Sequence, residues 1–463
     1  MSRQWQVLAL VSVAVFMASL DLFIVNVALP DIRSGLGHAS LGDVSWVLSA
    51  YAIVFAALLV PSGRLADRIG RKRFFEFGLL LFTLASVLCA AAPTLGVLVA
   101  ARVLQAVGGA CLFPTSLALL LPEFEVKDRP TAIAIYSSVG GVSAALGPPI
   151  GGLLVGVSWR LIFLVNVPVG VITLGLGWLI LHEAREEGNP GFPDLFGALV
   201  LTGVIASLVG AIVKGGDWGW SAPATISSLG ASLLLAIVFL WRANRHPTPI
   251  IDLPMLRVRS FAMANVAQLL FSAAFGGMLL SLVLFLTGPW HYSILRAGLA
   301  IAPGPAMAAI TSIPGGKLGQ RIGQARVLML STTIFAFAFL LWAWRVTLSP
   351  DYLGAFFPAL ILSGIGVGPT IPNVFAAGVA SLSPARYATG SAILSMSRQI
   401  GAALGVAIFV AVSGTPAADE ILAAFRRGWI VCAALSIAAG LVCVVLSLMV
   451  PAIARRRQAV GAT

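Results

Sequence analysis

Gly63-Arg64-Leu65-Ala66-Asp67-Arg68-Ile69-Gly70-Arg71-Lys72-Arg73 is a densely charged stretch set between two long apolar runs. Val44 to Pro61 precedes it and Phe74 to Ala92 follows, each long enough to cross a bilayer as a helix. Five cations in eleven residues cannot sit in hydrocarbon, so the stretch reads as a turn at the membrane surface. The positive-inside rule places that turn on the cytoplasmic face. Gly63 and Gly70 suit sites where helix ends approach closely or the backbone must turn. Asp67, the single acid, has two readings: it pairs with a neighbouring cation, or it faces the positive N-terminal end of another helix and latches two halves of the molecule together. A second copy of the spacing, Gly316-Lys317-Leu318-Gly319-Gln320-Arg321-Ile322-Gly323, favours the latch.

Composition agrees with a membrane setting. Of 463 residues 59% are hydrophobic and 10% charged, and the mean hydropathy is +1.00, outside the soluble range. A net charge of +12 in a soluble chain suggests nucleic acid, but here the placement of the cations explains it. Of 29 Lys and Arg, seven (Arg33, Arg160, Lys214, Arg296, Arg345, Arg426 and Arg427) fall opposite the charged turn, Arg102 and Arg398 fall within spans, and the rest share its side. The first apolar run, Val7 to Leu29, is too long for a cleavable signal peptide and is expected to stay as the first helix. Cys89, Cys111, Cys432 and Cys443 lie inside spans without metal-ligand spacing and read as unpaired core residues.

Apolar runs and breaks predict an all-α polytopic protein with fourteen transmembrane helices. Six occupy residues 1–181, an inserted pair with its polar linkers occupies 182–260, and six more occupy 261–463 with a short basic tail. The charged turn joins the second helix to the third in both six-helix blocks, an internal repeat of the kind from which secondary transporters are built. Gly215-Gly216-Asp217-Trp218-Gly219-Trp220 joins the inserted pair, and its tryptophans suit the outer interface. The even count puts both termini in the cytoplasm.

Ionisable groups at membrane depth carry the sharpest information. Asp21 lies about 12 Å below Leu29, and Arg102 about 10 Å below Leu95, at 1.5 Å per helical residue. Similar depths allow an ion pair, either a static structural one or a proton carrier whose carboxylate affinity is tuned by the guanidinium. Arg398 has no acid in its own span and either faces a cavity or binds a backbone carbonyl. Glu76 reads as a partner of the cations at Arg71 to Arg73. Asn26, Gln105, Asn265, Gln268 and Asn373 line a cavity or bond helix to helix, and Tyr51, Phe113, Tyr136, Phe271 and Phe275 are apolar substrate contacts or plain packing. The histidines, His38, His182, His246 and His291, fall in loops. No phosphate loop, metal cluster or Ser-His-Asp set is visible, so no enzyme, cofactor or ATP motor is expected.

These residues resemble the major facilitator superfamily, specifically its fourteen-helix drug:proton antiporter branch. Gly63 to Arg73 is similar to the family's cytoplasmic-loop signature, including Asp67, Arg68, Gly70 and Arg71. Leu20-Asp21 with Val25 to Pro30 resembles the first-helix motif, and Arg102-Val103-Leu104-Gln105-Ala106-Val107-Gly108 the fourth-helix motif whose arginine is implicated in proton transfer. Gly147-Pro148 with Gly151-Gly152 resembles the fifth-helix antiporter motif, followed by Trp159-Arg160, Phe163, Asn166 and Pro168. Ala106 and Ser143 stand where those motifs carry Gly, and Gln320 replaces the Asp of the second turn, which implies a one-sided latch. The resemblance implies a major facilitator fold in the bacterial cytoplasmic membrane, with proton-driven efflux of amphipathic compounds, Asp21 and Arg102 coupling the proton, and Asp67 holding the cytoplasmic side closed near Arg386 to Gly390. It implies no cofactor and no required protein partner, only small substrates, protons and the lipid bilayer. An exporter of one endogenous lipid, siderophore or amino acid is the alternative, and the absence of acids from the late spans argues against an obligate dicationic substrate.

Overall fold

The computed structural model describes residues 2–460 apart from 38, 126–127, 184–190, 381, 383–385, 415 and 418, with no side-chain description for 130, 134, 137, 388 and 446–460. His38, Lys127, most of the loop after His182 and the side chains of Arg455 to Arg457 therefore lie outside the described residues.

Fourteen helices among the described residues are long and apolar enough to cross a membrane. They are α1 Arg3–Gly35, α2 Leu41–Ile69, α3 Arg71–Ala91, α4 Leu95–Glu123, α5 Thr131–Val155, α6 Leu161–Ile180, α7 Leu195–Trp218 and α8 Pro223–Arg245. The remainder are α9 Arg259–Thr287, α10 Ile294–Ile322, α11 Gln324–Arg345, α12 Tyr352–Val379, α13 Thr389–Ser413 and α14 Ile421–Val445. The chain is a multi-pass membrane protein.

The charged stretch differs from its reading as a turn. Residues 63–69 continue α2 as helix, the Gly70 amide still bonds the Ala66 carbonyl at 2.9 Å, and α3 begins at Arg71. A helix satisfies its own backbone at the interface while its long cationic side chains reach water, so no loop is needed. The reversal is made by one residue, Gly70, at φ 121°, and Gly323 repeats it at φ 96° between α10 and α11. A β-carbon at Gly70 would meet the Glu183 carboxyl group at 2.6 Å and displace that flexible side chain, while the positive φ is what calls for glycine. Gly63 makes only ordinary contact with Pro114, so the close approach expected there is absent.

Some spans are interrupted. The first turn of α6, Leu161–Leu164, is offset from Asn166–Ile180, and α10 divides at Ala302 just ahead of Pro303 and Pro305, which lack the amide hydrogens a continuous helix needs.

The chain divides into two compact units, Met1–Ile250 with Leu282–Ala302, and Ile251–Ser281 with Pro303–Thr463. The core of the first unit joins Val7, Val11 and Ala14 of α1 to Tyr51 and Phe55 of α2, Leu79 and Phe82 of α3, and Leu112 of α4. The inserted helices pack on each other, and α7 packs on α2, where Lys214 pairs with Asp43 at 2.6 Å. Asp194 is buried, caps α7 by accepting from the Gly197 amide at 2.7 Å, and pairs with Arg242 of α8 at 2.6 Å. Arg242→Ala strands that carboxylate and is expected to lower stability by about 1.5–3 kcal/mol, read as a fall in the melting temperature of purified protein with transport retained.

The second unit is built on an aromatic column. Phe335, Phe339 and Trp342 of α11 follow one another with ring centroids 4.8 and 5.7 Å apart, and Trp342 meets Trp429 of α14 at 6.3 Å. Both buried indoles find acceptors, Trp342 the Phe356 carbonyl at 3.1 Å and Trp429 the Ser281 hydroxyl at 3.2 Å. Beside this column α9 and α13 cross backbone to backbone at Gly276, Gly401 and Gly405. All four cysteines are free and buried.

Candidate functional site

Helix α1 carries Asp21 toward α4 rather than toward lipid. Helix α1 continues through Pro30 to Gly35, so Asp21 lies about 21 Å from that polar end at 1.5 Å per residue. It is 1% exposed, Arg102 is 0% exposed, and the two form a salt bridge through Asp21 Oδ2 and Arg102 Nη1. An ion pair withdrawn this far from water requires its other polar atoms to be satisfied.

Most of them are. Asp21 Oδ1 accepts from Gln105 Nε2 at 3.0 Å and from Asn166 Nδ2 at 3.3 Å. Gln105 lies one turn beyond Arg102 and bridges the pair, since its Oε1 accepts from Arg102 Nη1 at 2.6 Å. Ser86 of α3 ties the amides together, accepting from Gln105 Nε2 at 2.9 Å and Asn166 Nδ2 at 3.4 Å. Arg102 Nε donates to the Val47 carbonyl of α2 at 3.1 Å, and the guanidinium lies 4.2 Å from the centre of the Tyr51 ring. Arg102 Nη2 and the Tyr51 hydroxyl are the buried atoms of this cluster left without partners. Five helices, α1, α2, α3, α4 and α6, thus meet at one carboxylate.

The sequence brought Asp21 and Arg102 together and left Gln105 as a cavity residue or a bond between helices and Tyr51 as a substrate contact or plain packing; both belong to this cluster, Gln105 through bonds to α1 and α3. Ser86 it missed, because a lone serine within a span carries no signal of its own. Asn166 was visible only within the segment after α5, without a role.

The α2–α3 junction is held locally. Asp67 pairs with Arg71 at 2.9 Å, and Arg71 reaches the Ala118 carbonyl at 3.4 Å. Glu183 accepts from the Lys72 and Arg73 amides at 3.1 and 3.3 Å, capping α3, while Lys72 pairs with Glu76 at 3.8 Å. The Arg68 guanidinium lies 5.4 Å from the Phe192 ring centre.

The glycines of α5 serve close packing. A β-carbon on Gly147 meets Phe23 at 2.5 Å, two residues past Asp21, and Gly151 faces Ile24 and Val27 at 3.4 Å. One on Gly152 meets the Leu295 backbone at 2.7 Å, and the Pro148 carbonyl closes on Gly298. The segment therefore backs the turn of α1 that carries the carboxylate.

The remaining cavity candidates divide. Asn26 bonds the Leu22 carbonyl of its own helix, and Tyr136 donates to the Phe113 carbonyl at 3.3 Å, with Phe113 edge-on to Phe55. Asn373 donates to the Gly315 and Pro369 carbonyls at 3.0 and 2.8 Å and so ties α12 to α10. Asn265 accepts from Ser397 at 2.9 Å, and Phe271 stacks on Phe275. Gln268 donates to Ser272 and leaves Oε1 unpartnered. Arg398 is partly buried and makes no hydrogen bond, ion pair or ring contact among the described residues. No group of three or more His, Cys, Asp or Glu is placed to hold a metal ion among the described residues.

Known proteins give the same architecture. The sequence profile described as Major Facilitator Superfamily matches residues 11–406 and again 264–462. The chain is similar to the tetracenomycin C resistance and export protein of Streptomyces glaucescens, 32% identical over 88% of this chain and 75% of that one. It is also similar to multidrug resistance protein Stp of Mycobacterium tuberculosis, 33% identical over 88% and 76%. The crystal structure of nucleoside transporter NupG superposes with a TM-score of 0.66 at 13% identity, covering 96% of this chain and 98% of that one. The protein belongs to the Major Facilitator Superfamily.

Proposed function

We propose that the protein exports amphipathic or lipophilic small molecules in exchange for protons, by alternating access, across the bacterial cytoplasmic membrane with both termini in the cytoplasm. The observation that carries this reading is the sealed Asp21–Arg102 cluster, in a chain whose relatives are named for resistance and export. No covalent step or cofactor enters it.

The cluster has the chemistry of a proton switch. The Asp21 carboxylate accepts two hydrogen bonds at Oδ1 and one at Oδ2, so a proton enters at the remaining Oδ2 lone pair, beside the guanidinium. Protonation neutralises the acid and weakens its hold on Arg102. Gln105 then offers its Oε1, vacated by the guanidinium, to the new carboxyl hydrogen, while Arg102 keeps Val47 and the Tyr51 face. Helices α1 and α4 part at that step, and α5, packed through Gly147 on the same turn of α1, moves with them. Asp67 and Arg71 then act as the latch at the α2–α3 junction, through the pair they make there. If one net charge moves inward per cycle, the membrane potential contributes about 2.3 kcal/mol per 100 mV.

The test is reconstitution into liposomes with an acidic interior. Exchange drives ethidium, and a lipophilic carboxylate probe, inward as protons leave. The carboxylate arm is diagnostic, because an acidic lumen excludes a passively distributing weak acid. Accumulation that vanishes when the gradient is collapsed supports the reading, and accumulation indifferent to the gradient sinks it. An exporter of a single compound, as the name of the tetracenomycin relative suggests, is marked by transport of one probe class alone.

A further inference from the structure

We infer that Arg398 is the anchor for the acidic head group of a substrate, so that the preferred cargo is an amphipathic carboxylate. The inference rests on the export reading above and names its substrate class.

The argument begins with depth. Arg398 is nine residues into α13, roughly two and a half turns from Thr389 and farther from Ser413. A charge there is costly unless it is paired, bonded to backbone carbonyls or wetted by a cavity. Arg102 shows how this chain keeps such a group, with a carboxylate, an amide oxygen and a backbone carbonyl on its nitrogens. Arg398 has none of these among the described residues, and its side chain is only partly buried.

The unit offers no acid to complete it. Residues 251–463 contain Asp252, Asp351, Asp419 and Glu420, all outside the membrane spans. Asp252 faces Arg386 at 3.8 Å, and Asp351 caps the Gly354 amide. The counter-anion therefore comes from outside this unit, and the acidic head group of a ligand supplies it.

Its surroundings describe that anion. The Asn265–Ser397 hydrogen bond, and the seating of Gly401 on the Leu269 backbone, put Gln268 and Arg398 at one level of the α9–α13 pair. Gln268 Oε1 and Gln399 Nε2 are buried there without partners, so the neighbourhood has unsatisfied polar capacity. Two turns along α9 from Gln268, Phe275 is partly exposed and stacked on Phe271, an apolar surface within reach of a ligand's body. A guanidinium fork matches a carboxylate with two parallel bonds, a geometry that a spherical halide cannot use.

The experiment measures gradient-driven uptake of three probes on one scaffold, pyrenebutyrate, its primary amide and a quaternary-ammonium analogue, into phosphatidylcholine liposomes. Wild type is expected to take the carboxylate with the lowest KM. Arg398→Gln should raise that KM about tenfold or more, the loss of about 1.4 kcal/mol, and leave the amide within about twofold. Arg398→Lys should restore part of the difference, because it keeps the charge without the fork. Equal losses for acid and amide would assign Arg398 to packing, and unchanged selectivity would remove it from the site; both overturn the inference and leave the export reading standing. Loss of the carboxylate preference on adding phosphatidylglycerol would give the guanidinium to lipid phosphate, which also overturns it. Wild-type liposomes that take up none of the probes under a gradient would defeat the export reading itself, and this inference with it.

Discussion

Asp21→Asn is expected to abolish uphill accumulation while leaving substrate counterflow intact. The amide keeps nearly the shape of the carboxyl group and still accepts from Gln105 and Asn166 through one oxygen, but it neither carries a proton nor attracts the guanidinium. Accumulation driven by an imposed gradient should fall to the level of protein-free vesicles. Exchange of labelled for unlabelled substrate needs only the conformational cycle, and should continue. The variant has a structural cost, because Arg102 is then buried without its counter-ion, a situation worth about 3–5 kcal/mol of destabilisation. Two further variants separate that cost from the coupling role. Asp21→Glu restores a titratable group and should recover part of the accumulation, whereas the double variant Asp21→Asn with Arg102→Gln should recover stability without recovering coupling. Gradient-driven accumulation by folded Asp21→Asn would mean that the proton is carried elsewhere.

The membrane spans were legible because hydropathy and length are strong, additive signals. What hydropathy located poorly was the polar end of each helix. Residues 63–69 looked like a loop because they are charged, yet a helix end at the interface tolerates charge as long as its own carbonyls stay bonded. Asp21 and Arg102 could be paired from their depths alone, since few alternatives exist for opposite charges in neighbouring spans. Ser86, Asn166 and Val47 could not, because choosing among many small polar groups and carbonyls requires the rotation of each helix about its axis, and sequence depth says nothing of rotation. The same gap separates Asn373 from Gln268. Both are amides at membrane depth, but one is satisfied by two backbone carbonyls and the other keeps an unpartnered oxygen.

The α9–α13 crossing gives the second large effect, one that composition alone only hints at in Gly401-Ala402-Ala403-Leu404-Gly405. Two glycines four residues apart let helix backbones approach closely in lipid, where packing, not water exclusion, holds helices together. A β-carbon on Gly405 would lie inside the contact distance of the Ala273 carbonyl oxygen and 2.6 Å from its carbon, and one on Gly401 would meet Ser272 at 2.9 Å. Backbone cannot swing aside as a side chain does, so Gly405→Leu must push the helices apart along their length. It is expected to destabilise the second unit by more than about 3 kcal/mol, seen as loss of monodisperse protein after extraction and a melting temperature lowered by many degrees. Gly405→Ala should fall between this variant and wild type. Gly230→Leu is the control: a β-carbon there has nothing within 4 Å, and leucine favours helix over glycine by somewhat less than about 1 kcal/mol, so it should be neutral or slightly stabilising. If Gly405→Leu melts with Gly230→Leu, the close crossing is not what holds α9 to α13. Because the same crossing sets Arg398 level with Gln268, Gly405→Ala should also blunt the preference for a carboxylate over its amide, which links the packing of the unit to its selectivity.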